Sequence, residues 1–300
     1  MQGGAAPTDL LHRIITHPRF AAAACALATS SVETIRSRAT LSHASVDAGR
    51  YVAKLAAMWL DVRGDLTLPA LKRLCAATGL LSAGRARDFL QYLQHVGFVE
   101  ETESGRGATP SRYRTTARFR TDWINHLRGP IEAASLLAPS ARDLLERLDD
   151  PAVAATFIEI QGGALLQSAT TLPVNEPVVE TFYHAAGGIQ VLSMLIAGAA
   201  DNDAFPSRNP VRLRAAATSQ AIGVSVPQLK RVLASAVASG LLDASPGSMY
   251  ALTATSDAPL RAIYAGQLLQ LLDPIARTLA QHVRTGMAQG ESVSERDEQV

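Results

Sequence analysis

The sequence predicts a mainly α protein with small β-hairpins, built from two copies of one unit. Aromatic residues make up only 5% of the chain while Ala, Leu and Val abound, a balance that favours helices packed through small side chains. Two stretches of the chain repeat one pattern of apolar and turn residues, which indicates a duplicated structural unit. Both stretches end in two short apolar segments around polar turn residues, a pattern typical of a β-hairpin.

The repeat aligns residues 71–101 with residues 214–244, and a one-residue indel lies in a turn. Two glycines, a serine and a leucine recur at matching places, in the pairs Gly79 and Gly223, Ser82 and Ser225, Leu90 and Leu233, Gly97 and Gly240. A weaker similarity relates residues 10–28 to residues 144–162, so the order of elements upstream is kept as well. We therefore expect a pseudo-twofold internal duplication.

The repeat divides the chain into six segments. In chain order these are an N-terminal helical region (1–65), a first module (66–128), a central helical region (129–205), a second module (206–262), a C-terminal helix (263–290) and a tail (291–300). The central region is expected to repeat the N-terminal one. The tail is polar and charged, so we expect it to be disordered.

Each module is expected to open with a helix that a sharp turn ends. Leu71, Leu74 and Cys75 recur at helical spacing, which predicts a helix with one buried face. Gly79 then suits the left-handed backbone that commonly ends a helix. The first module therefore begins as a helix followed by a turn.

A second helix follows in each module. Ser82 and Ser225 stand where it must begin, since a serine hydroxyl can accept hydrogen bonds from the unpaired amides of a first turn. The apolar stripe of this helix recurs at three- and four-residue steps: Ala86, Phe89, Leu90 and Leu93, and in the second copy Leu229, Val232, Leu233 and Ala236. The opposite face is left for a partner, and it carries Gly84, Arg87, Asp88, Gln91 and His95, with Arg85 on its flank, and in the second copy Gln228, Lys230, Arg231 and Ala234.

A β-hairpin follows the second helix of each module. Its strands are expected at 98–99 and 113–116 in the first module, and at 241–242 and 250–253 in the second. The first hairpin loop is long and basic, and it contains Gly105-Arg106-Gly107. The second loop is a tight Ser-Pro-Gly turn without a positive charge.

The step from helix to hairpin resembles that of bacterial winged helix-turn-helix transcription regulators of the MarR-like kind. In those proteins the second helix ends in the pattern L-x-x-x-G-hydrophobic-V, which reads LQHVGFV over residues 93–99 and recurs more loosely over residues 236–242. The resemblance implies tandem winged helix-turn-helix modules with packing helices. Such regulators are homodimers built on terminal helices, so two copies in one chain imply a fused pseudo-dimer. The second wing departs from the family pattern because it lacks the expected arginine.

The resemblance also implies double-stranded DNA as the partner, with the second helix of each module in the major groove. Arg87 and Gln91 are expected to specify sequence, because Arg and Gln make paired hydrogen bonds to base edges. Arginines of the first wing are expected to neutralise phosphates. The candidate DNA-binding residues are Lys72, Arg73, Ser82, Gly84, Arg85, Arg87, Gln91, Arg106, Arg112 and Arg114 in the first module, and Ser225, Gln228, Lys230 and Arg231 in the second.

Charge is unevenly distributed along a chain whose formal net charge is only +1. Residues 63–128 contain 11 bases and 6 acids, and residues 207–284 contain 8 bases and 3 acids. Between them, residues 131–206 contain 2 bases and 10 acids. Two basic regions around an acidic one can orient a polyanion despite the small net charge.

Several other classes of protein are not expected. Apolar runs are far shorter than the roughly 20 residues that cross a bilayer, so no membrane partner is expected. Cys25 and Cys75 lack a clustered histidine set, which predicts reduced cytoplasmic thiols and no metal. No nucleophile, base and orienting group recur at a catalytic spacing, so neither an enzyme nor a cofactor is expected.

Three alternatives remain at this level. Winged helices also serve as protein-interaction modules or scaffolds, with weak or one-sided DNA binding. A small apolar effector is a further candidate partner. Six side chains either line a pocket between the terminal helices and the modules or, as the more ordinary interpretation, pack in the core: Met58, Trp59, Phe157, Phe182, Tyr183 and Met194. A homodimer or another protein partner is not decided by the sequence.

Overall fold

The computed structural model describes residues 7–37, 46–102, 110–169, 176–200 and 204–297. Within these ranges the chain is mainly helical, with one two-stranded and one three-stranded antiparallel sheet. The predicted mainly α class with small hairpins is confirmed. Arg106, which was expected in the first wing, lies outside the described residues.

The helices of the described ranges are α1 (Pro7–Ile15), α2 (Phe20–Ser37), α3 (Ala48–Val62), α4 (Leu68–Ala77), α5 (Ala83–His95), α6 (Ala117–Ser135), α7 (Ala141–Arg147), α8 (Pro151–Ala169), α9 (Gly188–Gly198), α10 (Ala215–Ile222), α11 (Val226–Ala238) and α12 (Asp257–Asp297). A π-helical turn (Val179–Tyr183) precedes α9, and a 3-10 turn (Ala254–Ser256) precedes α12.

Side-chain caps fix where several of these helices begin. The Asp47 carboxylate accepts a hydrogen bond from the Arg50 amide at 2.8 Å at the start of α3. Thr67 and Thr116 do the same for α4 and α6. Each cap pairs an amide that the helix itself leaves without a partner.

Five strands in the described part of the chain form two small sheets. Strands β1 (Val99–Glu101) and β2 (Tyr113–Thr115) pair antiparallel, with Val99 opposite Thr115. Strands β3 (Val211–Arg212), β4 (Leu242–Ser245) and β5 (Met249–Leu252) form a sheet in the order β3-β5-β4. Beside the first sheet, Thr67 forms an isolated β-bridge with Arg112, just before β2. This bridge corresponds to the pairing of β3 with β5 in the second sheet.

Helices outside the two modules pack reciprocally. Helix α3, which leads into α4 and α5, packs against α8, whereas α9, which leads into the second module, packs against α2. Helix α2 also contacts α6, and α8 contacts α12 in the corresponding way. The short helices show the same correspondence, because α1 packs on α12 and α7 packs on α6. The first half of the chain, up to α6, and the second half, from α7 onward, therefore each supply helices to the packing of the other.

One continuous core joins all of these elements. Its buried apolar residues extend from Ile14 to Ile275 and include Met58, Phe157 and Phe182, so these three side chains pack in the interior. Gly162 permits the α3–α8 crossing, because a Cβ there would lie 2.6 Å from Cδ1 of Trp59. The two modules thus share a single interior with the surrounding helices.

The C-terminal end differs from its expected form. The helix expected over residues 263–290 begins at Asp257 and continues to Asp297. Residues 291–297 of the expected disordered tail are therefore helical in their backbone, and residues 298–300 lie outside the described ranges. Residues 291–297 contain neither proline nor glycine, the two residues that most strongly oppose a helix.

Candidate nucleic-acid interface

Helix α5 has one buried and one exposed face. Its N-terminus is capped by Ser82, whose hydroxyl accepts a hydrogen bond from the Arg85 amide at 3.4 Å. The predicted apolar stripe is confirmed, since Ala86, Phe89, Leu90 and Leu93 are all buried. The opposite face is exposed and carries Gly84, Arg87, Asp88, Gln91 and His95.

Arg87 and Gln91 are the two side chains of this face with the greatest capacity for base recognition. Both are exposed, and neither forms an ion pair or a hydrogen bond within the described ranges. Arg85 differs, because its guanidinium lies 3.5 Å from the Asp47 carboxylate at the start of α3. That ion pair turns Arg85 toward the helical scaffold rather than toward a ligand on the exposed face.

The first hairpin places two of its three candidate arginines. Arg114 pairs with Glu100 on the neighbouring strand at 2.7 Å. Arg112 donates to the Gly64 carbonyl oxygen at 3.2 Å. Both residues are exposed, but each already uses one of its N–H groups in a hydrogen bond within the protein.

The hairpin is tied to α5 by backbone geometry. Gly97 adopts a φ of 74°, a left-handed conformation that glycine takes without strain. The Phe98 amide then donates to the Leu93 carbonyl at 2.8 Å, and the Thr116 hydroxyl donates to the Gly97 carbonyl at 2.8 Å. The end of α5 and the base of the hairpin therefore hold each other in place.

The second module repeats this junction. Gly240 has a φ of 69°, the Leu241 amide donates to the Ala236 carbonyl at 2.9 Å, and the Thr253 hydroxyl donates to the Gly240 carbonyl. The Ser225 hydroxyl caps α11 by accepting from the Gln228 amide at 3.3 Å. Both modules thus leave their second helix in the same way.

The polar face of α11 is less available than that of α5. The Gln228 amide nitrogen donates to the Ala186 carbonyl at 3.1 Å, and its oxygen accepts from Arg231 at 2.6 Å. Lys230 and Arg231 are exposed, and the next residue on this face is Ala234. Gln228 therefore connects the second module to the scaffold instead of facing outward freely.

Lys72 and Arg73 lie on α4, the helix before the turn. Lys72 is half-buried and Arg73 is exposed, and neither forms an ion pair among the described residues. Cys75 on the same helix is buried, which raises the pKa of its thiol to about 11 and keeps it protonated at neutral pH.

One basic residue near the second hairpin was missed in the sequence. Arg212 lies on β3, a two-residue strand more than thirty residues before the turn, and its Nε donates to the Gly247 carbonyl at 3.2 Å. The second wing therefore has a positive charge beside it, which its own loop lacks. Only the pairing of β3 with β5 brings this residue there.

Comparison of the chain with protein-family models, with curated proteins and with solved structures found no match. In the ranges that the structure covers, none of the helices combines the length and apolarity needed to traverse a bilayer.

Proposed function

We propose that this protein binds double-stranded DNA as a transcription regulator, with α5 as recognition helix and the β1–β2 hairpin as wing. One observation carries the proposal. Arg87 and Gln91 project, exposed and without protein partners in the described ranges, from a helix whose start is capped and whose apolar side is sealed. A helix presented in this way fits the major groove, where both side chain types recognise base edges.

The winged arrangement supplies the second kind of contact. Arg112 and Arg114 lie exposed on the hairpin beside α5, and basic residues there contact phosphates, which position the protein without reading sequence. Lys72 and Arg73 add positive charge on the neighbouring helix. Base contacts from α5 and phosphate contacts around it are the division of roles expected of a winged helix.

We further propose that the chain is a fused pseudo-dimer that arose by duplication. The reciprocal packing of α3 on α8 and of α9 on α2 supports this, as do the matching helix-to-hairpin junctions at Gly97 and Gly240. A duplicated unit that exchanges helices with its copy would pack in this manner. The two halves would then approach DNA from equivalent positions.

A second candidate function concerns the second module. Gln228 is bonded to Ala186, and the turn from Ser245 to Ser248 has no basic residue of its own. These observations favour a module that contacts DNA weakly or docks another protein, while the first module makes the principal DNA contact. No catalytic role and no cofactor are part of the proposal.

The test is a selection of bound sequences from random duplexes, followed by affinity measurements by fluorescence anisotropy. We expect Arg87→Ala to weaken binding to the selected duplex roughly tenfold or more and to affect a scrambled duplex much less, because a base contact is lost. Arg142→Ala is the matched control, since Arg142 is exposed on α7, outside both modules.

Salt dependence separates the two candidate functions. Affinity for any duplex must fall steeply as salt rises if phosphates are contacted, because binding releases counterions. Binding that ignores salt, or equal affinities of wild type and Arg87→Ala for the selected duplex, would overturn the proposal and leave the interaction module as the better account.

A further inference from the structure

A pocket of about 410 Å³ lies between the end of α3, the helix α4 and the start of β2. It is distinct from the exposed face of α5, which contributes no residue to it. Three arginines from three separate elements line it, together with an aromatic side chain, one acid and a threonine: Arg63, Arg73, Arg112, Trp59, Asp65 and Thr67.

Two of these arginines are held in place by the protein. The Arg63 guanidinium stacks on the Trp59 ring, 4.7 Å from its centroid, and bonds to Glu159 at 3.2 Å. Arg112 donates one N–H to the Gly64 carbonyl at 3.2 Å. Because a guanidinium has five N–H donors, both residues retain donors for a ligand.

Arg73, the third arginine that lines the pocket, lies on α4. It is exposed and has no ion pair or hydrogen bond among the described residues. Asp65 is the single acid among the residues that line the pocket, and Glu159 pairs with Arg63 from outside it, so three positive charges stand against two negative charges. The pocket is therefore electropositive although the chain as a whole is nearly neutral.

We propose that this pocket binds a phosphate group. Guanidinium forks match the oxygens of phosphate, and three arginines from separate elements suit a phosphate, which offers up to four oxygens, better than a carboxylate, which offers two. The volume lies in the range of small-molecule sites, so there is room for part of the group to which the phosphate is attached. Leu60, Ala70 and Leu74 give the pocket an apolar side.

The phosphate has two conceivable sources, a free phosphorylated molecule or the backbone of bound DNA. Arg73 and Arg112 are also candidate DNA contacts, so the second source deepens the proposed function and rests on it. The first source is independent of DNA binding. The binding of phosphate itself is tested without DNA, so that failure of one proposal does not imply failure of the other.

Tryptophan fluorescence gives the direct test. The chain has two tryptophans, and Trp59 lines the pocket whereas Trp123 is completely buried elsewhere. We expect titration with inorganic phosphate to give a saturable change in emission that chloride at equal ionic strength does not give. Arg73→Gln should weaken phosphate binding roughly tenfold or more, and Arg142→Gln should leave it unchanged.

Calorimetry of phosphate binding to the wild type provides a second measurement that does not depend on Trp59 emission. No saturable binding by either method, or the same phosphate affinity in Arg73→Gln as in wild type, overturns the proposal. Circular dichroism of each variant verifies that it is folded.

A competition experiment then assigns the source. If the selected duplex displaces phosphate and Arg73→Gln also weakens duplex binding, the pocket holds a backbone phosphate. If the duplex leaves phosphate affinity unchanged, the ligand is a free phosphorylated molecule. Both outcomes support a phosphate site.

Discussion

Two serine hydroxyls determine where the second helix of each module begins. Ser82 and Ser225 accept from the amide three residues on, at 3.4 Å and 3.3 Å. Each residue is exposed, so its contribution is the cap itself rather than packing. At the scale of single residues, local hydrogen bonds of this kind set the orientation in which Arg87 and Gln91 are presented.

Replacing Ser82 by alanine is expected to lower the free energy of unfolding by about 1 kcal/mol, because an amide of the first turn of α5 loses its partner. Ser82→Gly should cost less, since glycine is accepted at this position. Urea denaturation followed by circular dichroism measures both. Equal stability of Ser82→Ala and wild type would contradict the role of the cap.

Lys54 is a second residue with a measurable consequence, because it is buried in the core. Its Nζ lies 5.0 Å from the Trp123 ring centroid and 5.2 Å from that of Tyr51. Burial lowers the pKa of its ammonium from 10.5 to about 7. Between these values the unfolded chain binds a proton that the folded chain does not, so the contribution of Lys54 makes stability rise with pH.

We therefore expect Lys54→Met to flatten the increase in unfolding free energy from pH 7 upward. The measurements should stay below pH 9.0, because burial raises the pKa of the Cys75 thiol from 9.0 to about 11 and that of Tyr51 from 10.0 to about 12, and ionisation of these groups in the unfolded chain then opposes the trend. Lys72→Met, on the half-exposed Lys72, is the control. Identical pH profiles for Lys54→Met and wild type would refute the prediction.

Among the elements, the crossing of α3 and α8 links the first module to the helices of the other half. Trp59 donates from Nε1 to the Glu159 carbonyl at 3.0 Å and packs on Gly162, while Arg63 reaches Glu159 from the same helix. A second close crossing joins α6 to α2, where a Cβ on Gly129 would lie 2.5 Å from that of Ser30. Glycines thus set how near these helices approach.

Gly162→Ala is expected to destabilise the protein by about 1–3 kcal/mol, because the added methyl group overlaps Trp59. Gly266→Ala is the matched control, since a Cβ at Gly266 on α12 meets no atom within 4 Å. That substitution should stabilise by about 0.5–1 kcal/mol through the better helix propensity of alanine. Thermal unfolding of the two variants measures both effects. If Gly162→Ala were as stable as wild type, the two helices would have room for the added methyl group and the prediction would be wrong.

At the scale of the whole molecule, the main feature is that helices of each half of the chain pack against helices of the other half. Since α8 packs against α3 and α12, and α2 packs against α9 and α6, the described residues offer no plane that separates the chain into two self-contained cores. Basic modules then flank an acidic central region within one body.

This arrangement predicts one cooperative unfolding transition. Far-ultraviolet circular dichroism reports on all helices, whereas tryptophan emission reports on Trp59 and Trp123 in the first half. We expect the two signals to coincide in a urea titration, because neither half retains its core alone. A fluorescence transition clearly separated from the dichroism transition would mean that the halves unfold independently.

The sequence by itself determined the local elements. The apolar stripes of α5 and α11, the capping serines and the left-handed Gly79 after α4 were predicted correctly, because helix periods, caps and left-handed turns depend on residues near in the chain. The helical backbone of residues 291–297 was not predicted, since composition alone favoured disorder there.

Tertiary structure alone decided which charged and polar groups remain available to a ligand. Arg85 is paired with Asp47, Gln228 with a carbonyl 42 residues away, and Arg212 reaches a turn 35 residues away. The convergence of Arg63, Arg73 and Arg112 on one pocket also depends on packing between separate elements. Such partners are distant in the chain, and their proximity follows from the exchange of helices and the pairing of strands, which no local pattern specifies.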